Sequence, residues 1–404
     1  MVRWLYPTLV LLLLLLTACT AVQAPLQTET LSSLPTAMPT PSPSPTATPN
    51  PMLVGTPVIL KTLAMADATQ GWALSADNAR VLRTTDGGHT WRDLSPLPPP
   101  AGPWALASVD AQTAWVIARP ADVAALEQQP LLIWRTLDGG VSWIVSAPLP
   151  VDELEAEHFA PRLLYFRDVQ TGWLLVHLGV GMNHEYVALF ATTDGGATWA
   201  RLFDPYTGGP QACPKTGLAF ADAQTGWLTR DCSGVQEGAF VDWTTDGGLT
   251  WSAQPLPLPE ALPLADDAAL AFCSAHDPHL NSPLSGRLLI RCRQYDGEEV
   301  LDSAWIYETT DGGVTWEIFP CPGVEVQWRE VTGWAWGTPA LSLSQTYDGG
   351  RSWQPLGALP VVGPLNFVSA EEGWLAGLAT PGLYHTRDGG LTWERRVPRL
   401  LPTP

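Results

Sequence analysis

The stretch that decides the fold is Thr-Thr-Asp-Gly-Gly-His-Thr-Trp at residues 84–91. The phrase recurs along the chain, and in every copy the Asp is followed by Gly-Gly and, five residues after the Asp, by Trp. The seven aspartates are Asp86, Asp138, Asp194, Asp246, Asp311, Asp348 and Asp388. Asp-Gly-Gly supplies a short acceptor side chain and two residues that tolerate positive φ, as a tight hairpin requires. The phrase therefore predicts the same turn seven times.

A second phrase, Gly-Trp, lies upstream of each turn. It is intact in five copies and varied to Ala114-Trp115 in the second and to Gly286-Arg287 in the fifth. Each repeat then reads as four short strands, among them an apolar one such as Leu365–Val368 and a third such as Leu383–Thr386, with no helical period. Four-stranded units repeated seven times predict an all-β, seven-bladed β-propeller, an architecture that leaves only short edges.

These residues resemble a known family. Ser/Thr-x-Asp-x-Gly-x-Thr/Ser-Trp is similar to the Asp-box, or bacterial neuraminidase repeat, of sialidases, xyloglucan-cleaving glucanases, sortilin-type receptors and seven-bladed photosystem II assembly factors. Gly-Trp before each box, with compact blades, most resembles the last group. The resemblance implies the propeller fold and places the boxes away from the ligand face, but these families share turns rather than sites.

The recurring aspartates are predicted to be structural. A catalytic residue is needed once, whereas these occur once per blade in one context. No Cys-x-x-Cys motif, histidine cluster or calcium-loop spacing is present, so we expect no metal and no cofactor.

The N-terminal region is predicted to be an export signal and a tether. An apolar run ends in Leu16-Thr17-Ala18-Cys19, which resembles a bacterial lipobox and implies a signal peptide over 1–18 and lipidation of Cys19. An ordinary secretory signal cut near Ala24 is the alternative. Residues 19–56 are rich in Pro, Ser and Thr and predict an extended tether, followed by the propeller over 57–404. We expect an extracytoplasmic lipoprotein held at the membrane of the bacterial cell envelope.

Composition limits the partners. The formal net charge is -19, and only two of the 21 basic residues are lysines. Phosphate backbones require a positive surface, so nucleic acid is excluded as a partner. We expect a monomer.

Repeat spacing indicates where a ligand would bind. The distance from the Gly-Trp position to the box Asp is 14 residues in blades one, six and seven and 19 to 24 in blades two to five. The connections into blades three to five are also long, and both sets emerge opposite the boxes. This face of blades two to five is the predicted site for a protein or glycan, since binding residues concentrate in loops on a rigid scaffold. Its acidic character suits either a basic partner or a solvated rim. The candidates are His184, Glu185, Tyr186, Asp231, Tyr295 and Asp296.

The cysteines suggest two hairpin staples. Cys213 and Cys232 are 19 residues apart, as are Cys273 and Cys292, which suits disulfides in an oxidising compartment. Cys321 is left over, and pairing of Cys292 with Cys321 is the competing arrangement.

Three functions are compatible with these features. The first interpretation is a non-enzymatic binding scaffold or assembly factor for a membrane or surface complex, which predicts no catalytic residues. The second is a sialidase-like or glucanase-like glycoside hydrolase, whose paired carboxylates would be assembled across blades. The third is a glycan-binding surface module.

Overall fold

The computed structural model describes residues 55–97, 100–120, 131–150, 160–181, 184–232, 238–260, 262, 271–296, 299–337 and 341–401. The signal peptide, Cys19 and nearly all of the predicted tether lie outside these ranges. The described residues form thirty β-strands and no helix, so none of them belongs to a helix long and apolar enough to span a membrane.

Seven sheets follow one another along the chain, and each contains a four-stranded antiparallel unit in sequence order. Blades one to three are β2 (Ala64–Met65), β3 (Gly71–Leu74), β4 (Val81–Thr84) and β5 (Thr90–Asp93); β6 (Pro100–Ser108), β7 (Ala114–Pro120), β8 (Leu132–Thr136) and β9 (Ile144–Val145); and β10 (Ala160–Phe166), β11 (Gly172–Gly181), β12 (His184–Thr192) and β13 (Ala200–Phe203). Blades four and five are β14 (Lys215–Phe220), β15 (Gly226–Arg230), β16 (Phe240–Thr244) and β17 (Ser252–Pro255); and β18 (Ala271–Leu280), β19 (Gly286–Asp296), β20 (Glu299–Thr309) and β21 (Glu317–Cys321). Blades six and seven are β22 (Glu325–Arg329), β23 (Thr332–Gly337), β24 (Ser342–Thr346) and β25 (Gln354–Ala358); and β26 (Leu365–Phe367), β27 (Gly373–Ala376), β28 (Leu383–Thr386) and β29 (Glu394–Arg396). The prediction of an all-β, seven-bladed propeller is confirmed.

Blade one closes the ring and differs from the other six. Strand β30 (Arg399–Leu400) pairs in parallel with β5, and β1 (Thr56–Pro57) pairs antiparallel with β30. The Arg399 guanidinium also donates a hydrogen bond to the Gly55 carbonyl at 3.0 Å. Both ends of the described chain therefore meet on the outer edge of one blade.

The Asp-Gly-Gly phrase forms the same turn in each blade, between the third and fourth strands. In blade four, the Thr244 hydroxyl donates to the Asp246 carboxylate at 2.7 Å and accepts from the Gly248 N–H at 2.9 Å. The same carboxylate accepts from the Thr250 N–H and hydroxyl at 2.9 and 2.5 Å. Both glycines have positive φ, at 80° and 102°, a conformation that favours glycine over other residues.

The Gly-Trp tryptophans join neighbouring blades. Trp173 in blade three stacks on Phe220 of blade four with ring centroids 3.7 Å apart, and its indole N–H donates to the Gly247 carbonyl of the next turn at 3.1 Å. The Gly-Trp tryptophans of blades two and six make the same ring stack and the same indole hydrogen bond to the following blade, and we call each such contact between blades a seam. These three seams thus combine aromatic burial with a satisfied indole donor.

The two sequence variants of Gly-Trp have structural reasons. A Cβ at Gly226 would lie 2.5 Å from the Phe220 ring of the same blade, so glycine is required there. Blade two has Ser108 at the position of that phenylalanine, paired with Ala114, and alanine is accommodated. In blade five, the Arg287 guanidinium replaces the indole: it lies 4.9 Å from the Trp328 ring centroid and donates to the Glu330 carbonyl at 3.0 Å.

Two of the predicted long loops are instead long hairpins. Residues 177–187 lie mostly in β11 and β12, and residues 293–302 lie mostly in β19 and β20. Continued cross-strand pairing satisfies backbone groups that a loop would leave to water. The extra residues of blades three and five therefore extend rigid strands beyond the rest of the ring.

Candidate functional site

The first strands of neighbouring blades contact one another around the axis. Alternation of direction within each sheet puts the first-to-second-strand turns and the Asp-Gly-Gly turns at one end of the ring, which we call the turn end. The second-to-third-strand connections and the connections between blades lie at the other end, which we call the loop end.

The turn-end aspartates are engaged by their own turns. Hydrogen bonds from Ser142 and Thr136 hold the pKa of Asp138 down to about 2. Asp194, Asp246, Asp311 and Asp348 have the same low pKa; burial acts against it at each of them, and hydrogen bonds within the turn outweigh burial. Carboxylates satisfied in this way are stable anions that shape the backbone.

Three of the predicted ligand residues lie together at the loop end of blade three. His184 and Tyr186 have stacked rings with centroids 6.3 Å apart. Tyr186 is half-exposed, and its ring lies close to Gly181 on the paired strand. Glu185, between them in sequence, points inward and is buried.

Glu185 belongs to a buried ionic network that joins blades three and four. Its carboxylate accepts from the Lys215 backbone N–H at 2.6 Å and contacts His177 Nδ1 at 2.9 Å and Arg162 Nε at 3.7 Å. The Lys215 ammonium donates to the Ala212 carbonyl at 2.9 Å. Burial lowers the pKa of Lys215 to about 8, with Glu185 acting against it. This network makes Glu185 a structural link between the two blades.

The other predicted candidates lie on different blades. Asp231 follows β15 in blade four, where its N–H donates to the Pro214 carbonyl at 2.8 Å. Tyr295 and Asp296 are at the tip of the blade five hairpin, paired with Val300 and Glu299. The side chains of Tyr295 and Asp296 lie outside the described part of the structure. Blades three, four and five thus each hold part of the predicted set.

Disulfides join Cys213 to Cys232 and Cys273 to Cys292, in blades four and five. Cys321 is a buried free thiol whose pKa is raised to about 12 by burial. The second bridge joins β18 to β19 one residue from the Ser274 and Arg291 pair. It therefore fixes the two strands that carry the cluster described next.

A cavity of about 440 Å³ follows the axis along the first strands of blades three to six. Asp277 is its acidic residue and stands in an irregular part of β18, where the pairing register shifts between His276 and His279. Asp277 has φ of 46° and precedes Pro278, a position where that backbone conformation is strained. Pro278 packs where any Cβ on Gly217 of blade four would collide with it.

The Asp277 carboxyl is only partly satisfied. Asp277 lines the cavity and its side chain is 38% exposed, yet Oδ2 is buried and has no hydrogen-bond partner. The nearest cation is Arg291 Nη2, 3.7 Å away, and the same nitrogen donates to Glu325 of blade six at 3.0 Å. Burial, together with the charge of Glu325, raises the pKa of Asp277 to about 6, and Arg291 acts against this shift. The group can hold a proton under mildly acidic conditions and release it.

His276 is the neighbouring titratable residue. Its Nε2 shares a hydrogen bond with the Ser274 hydroxyl at 2.8 Å. Burial, and secondarily Arg291, lowers the pKa of His276 to about 4, while Asp231 acts in the opposite direction. The imidazole is neutral at pH 7. We call His276, Asp277, Arg291 and Glu325 the channel cluster, of which Asp277 is the member that lines the cavity.

The sequence analysis missed this cluster. Arg291 and Glu325 are separated by a strand pair and a blade boundary, so no local motif contains both. The available signal was Pro278 after His276 and Asp277, since proline within a strand marks an irregularity. In the described ranges, no group of three or more His, Cys, Asp or Glu side chains is arranged to hold a metal ion.

Comparison with known proteins shows a shared fold. No protein-family model and no curated protein matches the chain. Among solved structures, it is similar to the GH74 xyloglucanase from Xanthomonas campestris, with 15% identity and a TM-score of 0.50 over 86% of this chain and 54% of that one. It is also similar to polysaccharide lyase Uly1, with 11% identity and a TM-score of 0.50 over 83% of this chain and 88% of that one. The chain thus spans about half the length of the xyloglucanase.

These comparisons correct one sequence-based prediction. The chain was expected not to be an enzyme, yet the solved structures that share its fold include two whose names state an enzyme activity. At 15% and 11% identity the likeness shows the fold alone, which is a seven-bladed propeller used by polysaccharide-cleaving enzymes.

Proposed function

We propose that the protein is a glycan-cleaving enzyme whose active site is the channel cluster. The observation that carries this proposal is Asp277, a residue that lines the cavity, is held in a strained backbone position and has a buried carboxyl oxygen with no hydrogen-bond partner. Perturbed carboxyls in clefts are typical of acid and base catalysts. The proposal takes the place of the assembly-factor interpretation and is supported by the raised pKa of Asp277 beside the cavity.

Cleavage of a glycosidic bond requires a proton for the departing oxygen. Asp277 is positioned to supply it from the cavity wall, since its raised pKa keeps a fraction of the carboxyl protonated near pH 6. Arg291 holds the Glu325 carboxylate at 3.0 Å, which fixes a negative charge beside the acid and restrains its return to the ionised form. The two carboxyls have different environments, as a pair with different roles requires.

The other untested predictions become parts of this proposal. We infer that the seven turns are Asp-boxes, that Cys19 carries a lipid, and that the protein is a monomer held at the bacterial envelope. The half-exposed Tyr186, on the loop end of blade three, supports a glycan rather than a basic protein as the ligand. An envelope position would bring the channel to polysaccharides outside the cytoplasm.

The test is reducing-end release from a panel of neutral and acidic polysaccharides by the purified protein. Asp277→Asn is expected to lower kcat by about 10²-fold or more, because positioned proton transfer contributes roughly 10²–10⁴-fold. Asp302→Asn is the matched control, since Asp302 lies in the same blade but pairs with Arg293 at the surface. Equal activity of Asp277→Asn and the parent would refute the assignment of the site, and no release from any polysaccharide would refute the function.

A further inference from the structure

Blade seven meets blade one through a buried arginine and a buried histidine, and we call this contact the closing interface. The Arg396 guanidinium donates from Nη1 to the Gly87 carbonyl in the blade-one turn at 3.0 Å. Its other nitrogen, Nη2, lies 2.6 Å from His385 Nδ1. On the opposite side of the imidazole, Nε2 lies 2.6 Å from the Glu372 carboxylate. Both nitrogens of the His385 ring are therefore engaged inside the fold.

The chemistry of these partners fixes the protonation state of His385. A guanidinium has only N–H donors, so His385 Nδ1 accepts the hydrogen bond from Arg396 with its lone pair. The proton of the neutral ring is then on Nε2, which donates to the Glu372 carboxylate. His385 is thus the neutral Nε2–H tautomer, and Nδ1 has no room for a proton while Arg396 keeps its position.

The surroundings of His385 also favour the neutral ring. Burial lowers the pKa of His385, and the charges of Arg396 on β29 and Arg387 after β28 lower it further. Glu372, before β27, acts in the opposite direction. Glu394 on β29 accepts from the same Arg396 nitrogen at 2.9 Å. Blade one meets the guanidinium through a backbone carbonyl.

Other blades make the corresponding contact without a histidine. The position is the residue before the Thr of each turn, and His385 is the only histidine among the seven residues there. In blade two, the Arg135 guanidinium donates directly to the Asp194 carbonyl of the next blade at 2.8 Å. In blade six, the Gln345 amide donates to the Ala370 carbonyl of the next blade at 3.0 Å. Blade seven instead reaches its neighbour through Arg396, which His385 holds in place.

We propose that His385 makes the closing interface sensitive to acid. A second proton on the ring occupies Nδ1, so the ring can no longer accept from Arg396, and two cations would face each other at 2.6 Å. One of the two groups must then move, and the bond from Arg396 to the Gly87 carbonyl is lost. The Trp374 indole donates to the same carbonyl at 3.2 Å, so the interface is weakened rather than opened. This inference is independent of the reaction proposed for the channel.

The direction of the pKa shift gives the pH range. The folded pKa of His385 lies below the ordinary 6.5, so the stability that the neutral ring contributes is present above pH 6.5 and is lost as the pH falls through the folded pKa. Asp277 changes stability in the opposite sense, because its folded pKa of about 6 is raised. A measurement confined to the closing interface therefore separates the two groups.

Hydrogen exchange followed by mass spectrometry provides that local measurement. The Arg399 and Leu401 amides donate to the His89 and Trp91 carbonyls of blade one, so peptides over 397–401 report on the closing interface. Their protection, corrected for the chemical exchange rate, is expected to fall by about tenfold or more between pH 7.5 and 4.5, because a hydrogen bond from a charged group is lost. Peptides over 342–350, where Gln345 makes the corresponding contact, should keep their protection. Equal protection of 397–401 at both pH values would overturn the proposal.

His385→Gln is the matched variant, because glutamine occupies the corresponding position in blade six. It is expected to fold and to lose the pH dependence of exchange over 397–401, whereas the exposed-residue control His184→Gln should keep it. Nitrogen-15 NMR of the histidine rings tests the tautomer, with the His385→Gln spectrum as the assignment. A lone pair on Nδ1 at pH 7.5 is expected. A proton on Nδ1 at that pH, or pH-dependent exchange retained in His385→Gln, would refute the role of His385.

Discussion

The turn end and the channel use the same side chain in opposite ways. The Asp246 carboxylate in a turn accepts three hydrogen bonds from its own hairpin, and these hold its pKa at about 2 against the effect of burial. Asp277 in the channel has a buried oxygen with no hydrogen-bond partner, and its pKa is raised to about 6. The difference teaches that repetition and saturated hydrogen bonding mark a structural carboxylate, whereas the combination of an incompletely hydrogen-bonded carboxyl, a strained backbone position and a cavity marks a candidate for chemistry.

The largest stability effect is expected from breaking a turn. Asp246→Ala removes the acceptor of the Thr244 and Thr250 hydrogen bonds and is expected to lower the free energy of unfolding by about 1–3 kcal/mol. Thermal unfolding followed by circular dichroism measures the change. Activity per folded molecule should match the parent. A loss of activity without a loss of stability would show that the turn aspartates take part in the reaction and would contradict their assignment as structural residues.

The second-largest stability effect is expected from acid, which protonates the turn aspartates. Their folded pKa values lie below the ordinary value of 3.8, so the stability that these carboxylates contribute is present above pH 3.8 and is lost as the pH falls toward 2. The melting temperature is therefore expected to fall over this interval. A flat melting temperature from pH 4 to 2 would show that the turn hydrogen bonds do not favour the anions.

Asp277 should give the smallest stability effect, with the opposite sign. Its folded pKa of about 6 exceeds the ordinary 3.8, so its contribution is present below pH 3.8 and is lost as the pH rises through 6. Asparagine cannot ionise, so Asp277→Asn avoids the destabilisation that the carboxylate causes at high pH. The substitution is expected to raise the melting temperature by on the order of 1 °C at pH 7.5 and by less at pH 4. A lower melting temperature at pH 7.5 would mean that the carboxylate stabilises the fold.

The fold was predictable because its determinants are local and repeated. Each Asp-Gly-Gly turn is specified within eight residues, and seven copies fix the blade number. The variant Ala114 could not be interpreted from sequence, because the space it fills depends on Ser108 across the strand pair. Glu185 was chosen as an exposed ligand residue, yet its contacts with Lys215 and His177 appear only once blades three and four are side by side.

The channel cluster could not be predicted from the sequence, because its residues come together only when blades five and six are assembled. Glu325 reaches Arg291 from another blade, and the orientation of Asp277 depends on the bulge at Pro278 and on the absence of a side chain at Gly217. Such an arrangement has no fixed spacing. The structural neighbours count against the predicted lack of enzyme activity, which was drawn from the resemblance to assembly factors.

The closure on blade one has a practical consequence for experiments. Gly55 and Leu401 lie on the same outer edge, and in a ring of seven the blades opposite that edge are the fourth and fifth. A fluorophore, affinity tag or surface linkage attached at either terminus of the folded part would therefore sit on the rim farthest from Asp277. Immobilised protein should keep its channel open to large soluble polymers.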